Sequence, residues 1–373
     1  MSMIKAIGII STNYRIDAIE RLAQQRPVCA VPFGGRYRLL DFALSNLVNA
    51  GIRTVGVILP YTMRPLLDHL AAGKAWNLDR HSGGLYMLPS VTPALKPRPQ
   101  LFCVKDFLAN IEFATAEDAD VVLVTASNYV VNMNFAPIIE QHMERGADIT
   151  LVYKNGFKAD KKVETKLVLD EDGAVTKILK SQDEETCHMD ATFADVFVFN
   201  RELFIEMVMG CGNSEFKDLI DLVQAGLSAY RVEGYEFKGY MKQIFTVVDY
   251  HKTSMELLEP KIKRELFDGD DRIITKIKDS PPTRYENNAD VKNSLVSNGC
   301  IIDGKVTHSL IFRNVTLKEN CQVSGSILMQ NCVVGENSIL ENVILDKGIH
   351  IPENSVLRAQ KNSPMYLPKG TKV

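Results

Sequence analysis

Apolar positions follow two different periods along the chain. In the first part, compact apolar runs alternate with helical patterns. Residues 4–10 (Ile-Lys-Ala-Ile-Gly-Ile-Ile) read as a short buried strand. Residues 39–50 place Leu39, Leu40, Phe42, Ala43 and Leu44 on the apolar side of a helix. Residues 51–59 (Gly-Ile-Arg-Thr-Val-Gly-Val-Ile-Leu) and 120–125 (Asp-Val-Val-Leu-Val-Thr) read as further buried strands. Buried strands joined through a helix predict a parallel βαβ crossover, the unit of an α/β fold. Gly34 and Gly35 stand just ahead of the helix, where the backbone must turn sharply.

Beyond a Pro281-Pro282 pair the period changes. Val306, Ile311, Leu317, Val323, Leu328, Val334, Leu340, Leu345, Ile351 and Leu357 recur at steps of 5, 6 and 6, taken three times, so each turn is 17 residues. Two positions earlier stand Gly304, Ser309, Val315, Cys321, Ser326, Cys332, Ser338, Val343, Ile349 and Ser355, all small or β-branched. Tight corners of a triangular coil have no room for long side chains, and the pattern predicts a left-handed parallel β-helix of hexapeptide repeats. The division expected is an α/β domain over 1–246, a helical connector over 247–288 with helical spacing from Asp249 to Phe267, and the β-helix over 289–373. The open ends and flat faces of such a coil are usual oligomer contacts. Some β-helix proteins are acyltransferases with a histidine on the coil, which makes His308 and His350 candidates, but neither lies in an extended loop with an obvious acceptor pocket.

Composition narrows the class. The chain has 373 residues, 46% hydrophobic and 24% charged, with a net charge of −3, so it carries no nucleic-acid footprint. Its seven cysteines form no C-x-x-C pair and no metal-ligand spacing, which fits reduced thiols in a cytoplasm. No secretory leader and no apolar run near the length of a membrane span is read, and no membrane partner is expected.

The wording of residues 33–46, Phe-Gly-Gly-Arg-Tyr-Arg-Leu-Leu-Asp-Phe-Ala-Leu-Ser-Asn, closely resembles the signature of the ADP-glucose pyrophosphorylases, which activate glucose 1-phosphate for glycogen or starch synthesis. The resemblance runs through most of the chain. It implies a nucleotidyltransferase α/β domain followed by the β-helix, and it allows the ligand positions to be checked one by one. Where the family has Gly-Gly-x-Gly-x-Arg for the triphosphate, this chain has Ser11-Thr-Asn-Tyr-Arg-Ile-Asp17 without a glycine, and side chains obstruct the close backbone approach that phosphates need. Val28 replaces the lysine that offsets phosphate charge, Pro60 the glutamine that reads the purine, and Phe102 the glycine of the base-stacking helix start, where only Asn110 agrees. His69, Gly73, Trp76 and Asp79 keep the family spacing, the tryptophan being read as packing a lid or an interface.

The two family carboxylates that hold Mg²⁺ fall on Asn128 and Gln243, while Gly239-Tyr240 and Thr246 hold the second alignment in register. Neutral amides lack the anionic oxygen that Mg²⁺ prefers. On the sugar-phosphate side, the family's Glu-Lys-Pro falls on Lys180-Ser181-Gln182 and its Ser-Asp-Phe-Gly on Ser214-Glu-Phe-Lys217, while Asp195 puts a carboxylate where a sugar would approach. Arg26 and Arg38 match arginines of the family's anionic effector site.

The resemblance therefore implies a non-catalytic, GlgD-type subunit with no metal and no cofactor of its own, Mg²⁺ belonging to the catalytic relatives. Its expected partner is a catalytic paralogue in a mixed tetramer, with an anionic sugar phosphate as possible effector. The competing readings are an active glucose-1-phosphate adenylyltransferase and an unrelated sugar-nucleotide binding module.

Overall fold

The structure, a computed structural model, describes residues 5–13, 19–60, 62–91, 102–157, 164–180, 190–211 and 218–373. Arg15, Ser181, Gln182 and residues 214–217, all singled out by sequence, lie outside the described residues, as do Tyr61 and the Pro- and Lys-containing stretch over 92–99. The strands ahead of the coil are β1 (Ala6–Ser11), β2 (Pro32–Phe33), β3 (Tyr37–Arg38), β4 (Thr54–Leu59), β5 (Gly84–Pro89), β6 (Val121–Ala126), β7 (Tyr129–Val131), β8 (Ile149–Asn155), β9 (Thr165–Leu169), β10 (Val175–Lys180), β11 (Ala191–Asn200), β12 (Val232–Glu236) and β13 (Met241–Gln243).

The chain divides into two compact units: Met1–Ile16, Phe42–Gln243 and Asp270–Ile274 form the first, and Asp17–Asp41, Ile244–Gly269 and Thr275–Val373 the second. This division differs from the expected boundary at 246, because two stretches ahead of the coil belong with the coil.

The first unit is built on a nine-stranded sheet in the order β10-β9-β11-β6-β1-β4-β5, with β8 joining β11 to β12. β1 runs parallel to β4 and β6, as the βαβ reading requires, and the helix Leu39–Asn49 makes the crossover. β4 and β6 are buried along their whole length, which is why both read as unbroken apolar runs. β11 is antiparallel to β6 and β8, and its register against β8 shifts between Phe193 and Phe197. Asp195 sits in that irregularity with φ +55°, in the left-handed region that aspartate tolerates better than most side chains. A separate two-stranded ribbon, β7 with β13, lies outside the main sheet. Trp76 is fully buried and stands edge-on to His69 at 5.7 Å, so it is a core residue rather than part of a lid or interface.

The second unit contains the left-handed β-helix, three parallel sheets of five strands each. Nine of the ten predicted apolar positions are buried in its core and Leu357 packs against it half-buried. The coil starts earlier than residue 289, because Arg284–Tyr285 already pairs with Ile301–Ile302. The early turn escaped the period because Val291, Val296 and Ile302 pair with Val306, Ile311 and Leu317, two residues short of the later spacing. Gly304 makes that shortened step possible, since a Cβ there would meet the carbonyl of Cys321 at 2.5 Å.

Corners are closed by two devices. Buried Ser309 and Ser326 accept the N–H of the next turn through Oγ, from Ser326 at 3.1 Å and Val343 at 3.0 Å. Asn314, Asn331, Asn320, Asn337 and Asn354 take left-handed φ between 57° and 64°, as short amide side chains can.

Helical spacing over 249–267 resolves into two helices, Val247–Glu256 and Pro260–Phe267. Pro260 has no N–H to continue the first helix and instead starts the second. Thr246 and Asp249 form a capping box on the first. Both helices belong to the second unit rather than to a connector, and the reason is visible on the third sheet of the coil. Its outward residues Leu310, Ile327 and Ile344 are apolar and fully buried. Nearby, Arg26 reaches Met329, His251 Nε2 meets the Gly325 carbonyl at 2.7 Å, and Tyr250 Oη donates to Pro32 O at 2.7 Å.

Candidate functional site

Sequence placed Asn128 and Gln243 at one site although they lie far apart in the chain, and the ribbon brings them together. Gln243 pairs in register with Tyr129, the residue after Asn128. Asn128 is fully buried and neither its Oδ1 nor its Nδ2 has a hydrogen-bond partner; Gln243 Oε1 is likewise unpaired. The Gln243 Nε2 donates instead to Asp195 Oδ2 at 3.0 Å, and Tyr129 Oη donates to the same oxygen at 2.6 Å. Burial pushes the Asp195 carboxyl up to about 7, the charge of Asp218 adds to the rise, and the two donors oppose it. Three elements thus meet at one carboxylate; the sequence singled out Asp195 but not the hydrogen bonds it accepts from Tyr129 and Gln243.

This donor set does not fit Mg²⁺. The two aligned positions supply neutral amides, and the nearby carboxylate already accepts from two hydrogen-bond donors and is pushed up by burial to about 7. Among the described residues no group of three or more His, Cys, Asp or Glu side chains could hold a metal ion.

The end of β1, where a nucleotide-binding loop would begin, is stitched down. Thr12 Oγ1 donates to the Ile58 carbonyl and Ser127 Oγ to the Ser11 carbonyl at 2.8 Å. Asn13 Nδ2 donates to Asp106 Oδ2 at 2.9 Å, and the other oxygen of Asp106 accepts from Ser90 Oγ at 2.7 Å and Val91 N at 3.1 Å. Asp106 is 2% exposed, so a carboxylate stands beside the β1 terminus, opposing a phosphate by charge. Sequence comparison missed it, although its signal was present as an aspartate within the altered stretch 102–110. Phe102 is buried edge-on to Phe197 at 5.0 Å, filling space with its ring. Its N–H donates to Asp218 Oδ2 at 3.3 Å; burial lifts the Asp218 carboxyl to about 6. Val28 is buried in a short 3-10 turn of the second unit.

The two effector candidates occupy different environments in the second unit. Arg26 is buried and ion-paired through Nη2 to Asp346, which also accepts from Tyr366 Oη and from the Lys347 N–H, each at 2.7 Å. Burial alone would raise the Asp346 carboxyl, but the Arg26 charge and the hydrogen bonds hold it below its usual value. Arg38 is half-buried. Around it gather Lys347 and Lys278, and Lys278 also feels Arg313 and Lys276. Burial and then the charges of Arg38 and Arg26 depress Lys347 to about 8, against the pull of Asp346. Burial and then Arg38 lower Lys278 as well. Crowded, partly desolvated cations of this kind favour an anion in their midst. The lysines were missed because they are scattered over the coil and its approach, with no local motif.

The comparisons agree with this architecture. Residues 20–256 match the Nucleotidyl transferase family, and residues 281–363 match the GlmU-like, C-terminal hexapeptide family. The chain is 31% identical to the Glycogen biosynthesis protein GlgD of Bacillus subtilis (strain 168) over 83% of its own length and 80% of that protein. It is 30% identical to the GlgD protein of Geobacillus stearothermophilus, covering 86% and 83%. It is also 32% identical to the Glucose-1-phosphate adenylyltransferase of Bacillus subtilis (strain 168), covering 89% and 88%. With its α/β sheet, its hexapeptide coil and these relatives, the chain belongs to the nucleotidyl transferase family, among the GlgD proteins and glucose-1-phosphate adenylyltransferases.

Proposed function

We propose that this chain is a non-catalytic regulatory subunit of glucose-1-phosphate adenylyltransferase in glycogen biosynthesis, acting by assembly with a catalytic paralogue in a mixed tetramer. The observation that carries the reading is the pair of amides at Asn128 and Gln243, joined by the Asp106 carboxylate beside the β1 terminus. Nucleotidyl transfer requires charge stabilisation of phosphate oxygens, and loss of one preorganised electrostatic group commonly costs ~10²–10³ in rate. Here several are replaced together.

The cations around Arg38, Lys278 and Lys347 are the proposed seat of an anionic sugar-phosphate effector, with Arg26 behind them holding Asp346. Binding there, or contact with the partner, acts by a population shift: a differential of ~1.4 kcal/mol between two conformations changes their ratio tenfold. A cytoplasmic setting is part of this proposal, resting on the glycogen-biosynthesis relatives. Among the described residues no helix is long and apolar enough to cross a membrane.

A second reading, an active enzyme making ADP-glucose, draws on the adenylyltransferase relatives that match along most of the chain. The test is incubation of the purified chain at high concentration with Mg·ATP and radiolabelled glucose 1-phosphate, then co-expression with a catalytic paralogue. Background-level turnover alone, with altered partner kinetics in a co-purified complex, supports the regulatory reading. Turnover near ~10 s⁻¹ by the chain alone supports the second.

A further inference from the structure

Ser45 and Asn46 close the signature stretch, and both are buried on a helix that otherwise presents Leu39, Leu40, Phe42 and Leu44 to the core. Serine and asparagine disfavour a helix interior, since their side chains compete for backbone groups. Their bonds show what they hold. Asn46 Nδ2 donates to Val131 O at 3.2 Å, while Asn46 Oδ1 accepts the Met133 N–H at 3.2 Å, so this amide clasps β7 and its exit. Ser45 Oγ accepts the Ile274 N–H at 2.8 Å, and Asn49 Nδ2 donates to Arg272 O at 3.1 Å. Asn132 Nδ2 donates to Asp271 O at 2.8 Å and Asn134 Nδ2 to Asp271 Oδ2 at 3.2 Å, which closes the circle between the ribbon exit and the 270–274 strap.

All of these groups lie in the first unit, and the segments they join are those through which the chain passes to the second. The signature helix crosses at Asp41–Phe42, β13 crosses immediately after Gln243, and the strap is bounded by crossings on both sides. We infer that Ser45, Asn46, Asn49, Asn132, Asn134 and Asp271 form a coupling knot, a set of positioning residues that ties these crossings to the ribbon bearing Gln243 and following Asn128. The knot gives the signature stretch a task that does not require substrate chemistry. It deepens the regulatory reading by naming the route along which an event in the second unit reaches the altered site.

The test has two arms, both on the full chain. Amide hydrogen exchange in low urea reads Met133 and Ile274, whose N–H groups end on Asn46 and Ser45. If the knot opens as one unit, Ser45→Ala raises exchange at Met133, which Ser45 does not bond, and Asn46→Ala raises it at Ile274, each by about tenfold. Changes confined to the amide that lost its own acceptor overturn the knot. Should Asn46→Ala fail to fold, Asn49→Ala removes only the Arg272 bond and is read the same way, with a rise of roughly fivefold at Ile274 and Met133 expected.

In the second arm, the chain is co-purified with a catalytic glucose-1-phosphate adenylyltransferase. Asn46→Ala is expected to retain binding and lose its effect on the partner's kcat. Full retention of that effect overturns the coupling role. A wild-type chain without any effect on a bound partner overturns the regulatory reading, and the knot is then judged by exchange alone.

Discussion

Replacing Arg26 by methionine separates a structural arginine from an effector ligand. The guanidinium is buried, and its partner Asp346 is 2% exposed. Removing one member of a buried ion pair leaves the other charged without its counter-ion, at a usual cost of about 3–5 kcal/mol. Asp346 keeps two donors, Tyr366 Oη and the Lys347 N–H, so the low end, about 3 kcal/mol, applies. For a cooperative unit of this size that corresponds to a fall in Tm of about 6–12 °C. The loss has a pH signature. Asp346 is held below its usual 3.8 in the native state, so the wild-type contribution is present above that pH and is lost as pH falls through the native value. In Arg26→Met, burial is left to raise the carboxyl, and acidification relieves the variant. The two curves therefore converge below about pH 4. Urea and thermal unfolding from about pH 2 to about pH 8 measure both effects. A variant within about 0.5 kcal/mol of wild type at pH 7, the range of an ordinary surface substitution, would refute the assignment of Arg26 as a brace.

Asn128→Asp combined with Gln243→Asp is expected to leave ADP-glucose synthesis at background, because Asp106 still stands beside the stitched β1 terminus; normal activity in a steady-state assay would contradict this. Burial and the charges of Arg38 and Arg26 lower Lys347 to about 8, so anion binding at its cluster should weaken as pH rises from 7 to 9, and isothermal titration with inorganic phosphate on wild type and Lys347→Met checks the slope; equal slopes would clear Lys347 of the role. Ser326→Ala removes the Oγ that accepts the buried Val343 N–H and should destabilise the coil by about 1–3 kcal/mol, read by urea unfolding.

Much of this molecule was legible in its residues, and the parts that were not share a physical cause. The coil was readable because its core repeats with fixed spacing, so Val306 to Leu357 announce themselves. Its first turn was hidden by the shortened step into Val306, which only the contact between Gly304 and Cys321 explains. The amide pair could be located because Gly239-Tyr240 fixes register around Gln243, and β7 with β13 places it beside Tyr129. Its link to Asp195 could not be read, since it depends on a register shift in β11 and a left-handed residue within a strand. Burial, too, is a property of three dimensions. Arg26 reads as an effector-site arginine in sequence and is buried and ion-paired to Asp346 in the fold, while Lys278 and Lys347 become neighbours of Arg38 only once the chain has coiled. The second unit's claim on residues 17–41 has the same origin: Leu310, Ile327 and Ile344 face outward from the coil and need cover.

The central claim is that surfaces, rather than chemistry at its own site, carry this chain's function. The most direct measurement is the kcat of a catalytic glucose-1-phosphate adenylyltransferase, purified alone and purified in complex with this chain, with the chain assayed by itself at the same concentration. The account predicts background turnover for the chain alone and a several-fold change in the partner's kcat or effector response within a stable complex. Robust synthesis of ADP-glucose by the isolated chain, or a stable complex whose kinetics equal those of the partner alone, would contradict it.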